Sequence, residues 1–64
     1  MTHATYTTLN NQADVFVAFS AVSHIINDKN EGCWIWFHSG KCIHVAESMS
    51  DVSADMSDFL NTRK

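Results

Sequence analysis

The chain has no proline, only two glycines and only four basic side chains among its 64 residues. It also has no low-complexity run and no internal repeat, so nothing in it marks a linker. This length allows one domain, 1–64. The basic residues Lys29, Lys41, Arg63 and Lys64 face seven acidic ones, for a net charge of -3. Duplex nucleic acid is held chiefly by neutralising phosphates with Lys and Arg, so duplex binding is not expected. Single-strand binding by aromatic stacking also needs a positive groove, which these residues do not supply. No apolar run approaches the roughly 20 residues that span a bilayer. The start, Met1-Thr2-His3-Ala4-Thr5, lacks the basic-then-apolar layout of a signal peptide. The expectation is a cytoplasmic protein without a membrane span.

Cysteine is scarce too. Cys33 and Cys42 are too few for a secreted disulfide framework. Together with His3, His24, His38 and His44 they show neither the C-x-x-C nor the H-x-x-x-H spacing of a zinc site. Neither a metal nor another cofactor is expected, and the histidines read as ordinary strand and loop residues. What the chain does have is 45% hydrophobic residues. A domain this small buries only about 60% of its unfolded surface, and its core supplies on the order of 3–5 kcal/mol. Further burial against a partner would matter.

Asn10-Asn11-Gln12 reads as a turn, because Asn tolerates the left-handed region. It separates the Thr-rich Ala4–Leu9 from the apolar Val15–Phe19 in a first hairpin. Ser20 to Ile26 continues as extended or bent chain anchored by Val22, Ile25 and Ile26, and the polar stretch from Asn27 to Gly32 is the clearest break. Aromatic and β-branched residues then crowd both sides of Ser39-Gly40, which predicts a second hairpin. A two-residue loop would pair Phe37 with Cys42. A three-residue loop, His38-Ser39-Gly40, pairs Trp36 with Cys42 and Trp34 with His44. Only the second register gathers Cys33, Ile35, Phe37, Ile43 and Val45 on one face, and a one-residue slip would invert all of them. The other face then carries Trp34, Trp36, Cys42 and His44, and Cys33 and Cys42 point apart.

From Ser48 the period changes. Met49, Val52, Met56, Phe59 and Leu60 form one helical stripe, with Ser48 as N-cap and Asp51 completing a capping-box-like arrangement. Arg63 and Lys64 complement the helix C-terminal end. The predicted fold is α+β: a small antiparallel sheet of three to four strands with one C-terminal helix packed on one face. The strands are expected at about 4–9, 14–19, 22–27, 33–37 and 41–46 and the helix at about 49–61.

The sequence of Val22-x-x-Ile25, Ile35-x-Phe37, Gly40-Lys41, Val45, Glu47-Ser48 and Val52 resembles the small FlbD/SwrD-type flagellar family, from about Thr8 to Leu60. A similar strand–Gly-Lys–strand–helix cadence occurs in LytTR-type DNA-binding domains, which are longer and more basic. The chain departs from the flagellar pattern at Ala18, where Asn is usual, at Asn11-Gln12, which replace the first-turn glycine, and at the heavy Trp34/Trp36 pair. The resemblance implies the fold and a bacterial cytoplasmic setting, and no catalytic residue. A phage-encoded accessory or anti-defence protein of this size and acidity fits as well.

Catalysis by a Cys–His pair is not expected. Cys42 and His44 share a strand face with Cβ atoms about 7 Å apart, and one sheet layer with one helix offers little pocket volume. Trp34 and Trp36 are the stronger lead. On a face away from the helix they would expose an apolar patch of the kind that marks contacts, each ring burying about 150–250 Å² on binding. The bland alternative is a second half-core, closed by the N-terminal hairpin curling over them. The need for extra burial favours contact, with Trp34, Trp36, Cys42 and His44 as the protein interface and a homo-oligomer as its simplest form. Glu47, Asp51, Asp55 and Asp58 read as a solvated helix face or as an acidic docking face for a basic partner. Met49 and Met56 read as core filler. The expected function is a non-enzymatic bacterial or phage accessory protein that binds itself and another, unidentified protein. The alternative is an anti-defence oligomer that sequesters a small nucleotide-like ligand between aromatic rings at subunit interfaces.

Overall fold

The second hairpin determines the rest of the architecture. In the computed structural model, which describes residues 2–62, strand β4 (Cys33–Phe37) pairs antiparallel with β5 (Cys42–Val45). The partners are Trp36 with Cys42, Ile35 with Ile43 and Trp34 with His44, the register of the three-residue loop. Gly40 stands at φ +92°, the left-handed region that closes such a loop. Phe37 and Lys41 seal the loop through an N–H to carbonyl bond of 2.9 Å.

Ahead of it lie β1 (His3–Thr7), β2 (Asp14–Ala18), a 3-10 turn (Phe19–Ala21) and β3 (Val22–Asn27). The fold is α+β, with five strands among the described residues divided between two antiparallel sheets, β1-β2 and β3-β4-β5. The sheets touch edge to edge. Thr8 bridges Val45, the Leu9 N–H donates to the His44 carbonyl at 2.9 Å, and the Ala46 N–H donates to the Thr7 carbonyl at 2.7 Å. A register shift between Val22 and His24 leaves Ser23 as an extra residue in β3. That shift lets Val22 face the core while His24 faces away.

In the first turn the left-handed residue is Gln12, at φ +52°, rather than either asparagine. The asparagine contribution comes through a side chain instead: the Thr8 hydroxyl donates to Asn11 Oδ1, and the Ala13 N–H donates back to Thr8 Oγ1 at 3.1 Å.

Helix α1 (Met49–Thr62) begins as its cap predicts, with the Asp51 N–H donating to Ser48 Oγ at 3.2 Å. Its buried stripe is narrower than the sequence periodicity suggests. Val52 and Phe59 are buried and Met56 is half-buried, whereas Met49 and Leu60 are exposed. The proposed dipole partners Arg63 and Lys64 lie outside the described residues.

One core joins every element: Tyr6, Val17, Phe19, Val22, Cys33, Ile35, Val45, Val52 and Phe59. Tyr6 and Val17 sit in it beside Val52 and Phe59, so the β1-β2 hairpin packs on the same side of β4 as the helix. It does not curl over the tryptophans. Two polar ties secure this side. The Tyr6 hydroxyl donates to Asp55 Oδ2 at 2.8 Å, and the Thr7 N–H donates to the Glu47 carboxylate at 3.0 and 3.2 Å. Burial, reinforced by the Asp55 hydrogen bond, pushes the Tyr6 phenol well above its ordinary range. Burial likewise pushes up the Cys33 thiol, with Glu47 adding to it. Both cysteines are free.

Candidate functional site

The outer face of the three-stranded sheet is built from two cross-strand rungs. Ile26 pairs with Trp34 and Trp34 with His44; one step along, His24 pairs with Trp36 and Trp36 with Cys42. Cross-strand neighbours on one face have Cβ atoms about 5 Å apart, close enough for flat rings to meet. Trp34 and His44 stack with centroids 4.2 Å apart and planes 14° apart. Trp36 and His24 lie nearly parallel at 7°, with centroids 5.8 Å apart.

The loop after β3 holds the first rung in place. Asp28 accepts from the Asn30 N–H through Oδ1 at 2.8 Å, and its Oδ2 accepts the Trp34 indole N–H at 3.0 Å. These two bonds, the Asn30 one first, hold its carboxyl below the ordinary value of 3.8. His44 Nε2 lies 3.0 Å from the Glu31 carbonyl and 3.5 Å from Asp28 Oδ2. A carbonyl only accepts, so Nε2 must carry a proton. Gly32 ends the loop at φ +70°, where an added Cβ would fall 1.8 Å from the Val45 carbonyl oxygen. Only a residue without a side chain lets the loop pass that close to β5.

The four residues expected on this face are brought together there, all half-buried. The tryptophans therefore expose less than a bare two-indole patch would. Of the large exposed hydrophobic side chains, Phe16 at 70% lies on the outer face of the two-stranded sheet, Met49 and Leu60 lie on the helix, and Ile26 at 48% sits next to Trp34. Phe16 is itself stacked by His3 at 4.8 Å. Residue alternation along β3 is the signal that could have added His24 and Ile26, since both flank the inward Ile25. Asp28 was legible only as part of a polar loop.

The acidic group is not one open face. Glu47 and Asp55 are half-buried and turned inward to Thr7 and Tyr6, while Asp51 and Asp58 are exposed. Carboxylates at these positions serve as local acceptors because the neighbouring β1 brings donors to them.

Beside the aromatic face runs a groove of about 420 Å³. Trp34, Cys42 and His44 line one part of it, and Asn10 and Asn11 of the first turn with Asp14 of β2 line another. Among the described residues, no group of three or more His, Cys, Asp or Glu side chains is placed to hold a metal ion. No helix of the described chain is long and apolar enough to cross a membrane.

Comparison with protein-family models, curated proteins and solved structures finds no match. The functional reading therefore rests on the geometry of the sheet.

Proposed function

We propose that this chain is a non-enzymatic accessory protein of a bacterial or phage-infected cell, working by protein–protein binding as a homo-oligomer. One observation carries the reading. The helix and the first hairpin both pack on the inner side of β4, leaving the Ile26–Trp34–His44 and His24–Trp36–Cys42 rungs as an aromatic face outside that core. Stacked, semi-rigid rings lose little side-chain freedom on contact, which favours them at binding surfaces. His44 supports the non-enzymatic reading, because its Nε2 is engaged by the Glu31 carbonyl rather than by the Cys42 thiol. The exposed carboxylates Asp51 and Asp58 supply the acidic contribution toward a basic partner.

The test is solution mass by light scattering for the unaltered chain and for the double variant Trp34→Ser/Trp36→Ser, with helix content followed by circular dichroism. An oligomer that becomes a folded monomer supports the reading. A monomeric parent chain that binds no protein overturns it, and so does a double variant that retains the parent mass.

A further inference from the structure

The groove beside the aromatic face combines ring surface with unpartnered polar side chains. From the second hairpin it is lined by the stacked Trp34–His44 pair, and from the first hairpin by Asn10 of the turn and Asp14 at the start of β2. Among the described residues neither the Asn10 amide nor the Asp14 carboxylate has a hydrogen-bond or ion-pair partner. Asn11, by contrast, is occupied by Thr8. Among the described residues no Lys or Arg lines the groove, and the chain as a whole is acidic. Its volume falls in the range of small-molecule sites, about 300–1,000 Å³.

Each feature narrows the occupant. Paired flat rings favour a flat heterocycle. An unpaired carboxylate accepts two adjacent N–H donors side by side, the fork geometry that makes carboxylate recognition specific. An amide beside it donates to a carbonyl. The Asp14 carboxylate, in a chain of net charge -3, repels phosphate.

We propose that this groove is a binding site for a guanine-type base or nucleoside that carries no phosphate. The base ring lies against the Trp34–His44 pair, its adjacent ring and exocyclic N–H groups face Asp14, and its carbonyl receives the Asn10 amide. Adenine presents a ring acceptor where guanine presents a donor, so it meets the carboxylate with repulsion. All the residues come from one chain, but Trp34 and His44 also belong to the proposed self-contact face, so guanosine binds the subunit whose face is open and competes with self-association. It differs from a nucleotide store at subunit interfaces in both location and ligand charge.

The test is an amide NMR titration of the full chain with guanosine, adenosine and guanosine 5′-monophosphate. Guanosine is expected to shift residues 8–15 and 42–44 and the Trp34 indole N–H. Adenosine should bind about ten-fold more weakly, the scale of one bidentate contact, and the monophosphate more weakly than the nucleoside. Asp14→Asn, an exposed change, should abolish the guanosine preference while leaving the rest of the spectrum in place. Absence of shifts at millimolar guanosine, equal binding of adenosine, tighter binding of the monophosphate, or an Asp14→Asn variant with the preference intact each overturns the proposal. Solution mass is read separately, so the outcome here is distinct from that of the oligomer test.

Discussion

Along β4, Cys33 and Ile35 are fully enclosed, while Trp34 and Trp36, each one residue away, keep part of their surface in solvent. Both faces of the strand are apolar, and they are stabilised differently. The inner face is closed by other apolar side chains, Val45, Val52, Phe59 and Val22. The outer face is shielded by histidines and by one loop carboxylate: His44 on Trp34, His24 on Trp36, Asp28 on the indole N–H. The difference follows from what each ring needs. An aliphatic side chain gains only by leaving water, whereas an indole also carries a donor that must be satisfied when it is partly buried. The inner face therefore carries stability, and the outer face offers a surface with fixed geometry.

Mutation can test this contrast in decreasing order of effect. Ile35→Ala cuts into the enclosed side and is expected to cost about 2–5 kcal/mol. That is comparable to the whole stability of a core this size. Urea denaturation should find this variant mostly unfolded, and a midpoint close to that of the parent would break the comparison.

Tyr6→Phe leaves the ring buried and removes only the hydroxyl that meets Asp55. A loss of about 1 kcal/mol is expected, read by the same denaturation with an unchanged slope. The Tyr6 phenol is held above its ordinary value of 10.0, so folding favours its neutral form. Its contribution is complete below about pH 10 and is lost as pH rises through the folded value. The variant should lack that alkaline loss.

The smallest effect belongs to the outer face. Asp28 is held below 3.8, so folding favours its ionised form. Its hold on the loop is complete above roughly pH 4 and weakens as pH falls through the lowered value. The Trp34 indole N–H resonance should move on acidification, and Asp28→Asn should remove that step without unfolding the chain. Global unfolding in the same pH window for the parent but not the variant would mean that the loop supports the core, contrary to the division drawn above.

The hairpin register illustrates what was readable in advance. Only one alignment of residues 33–45 gathers the aliphatic residues, and a glycine sits where a three-residue loop needs a left-handed residue. Burial and backbone sterics thus agreed within 13 consecutive positions. The helix start was legible for the same local reason, since Ser48 and Asp51 are three residues apart. Its apolar stripe was over-read, because periodicity marks which residues share a face and not how far the sheet extends beneath them. Met49 and Leu60 lie at the two ends of that stripe and remain exposed. The site was half legible. The side chains on β4 and β5 followed from register, but the acidic group did not stay together. Partners for Glu47 and Asp55 come from residues 40 and 49 positions away.

The amino-acid order alone decided the register of the second hairpin, its left-handed glycine, the helix cap, and which side of β4 each ring occupies. These are consequences of dihedral preference and of the two-residue period of a strand. Tertiary structure decided how the two hairpins and the helix share one core, that β1 supplies donors to the carboxylates, and that Asp28 meets the indole. Those outcomes depend on distances between chain segments far apart in sequence, which local preference does not encode.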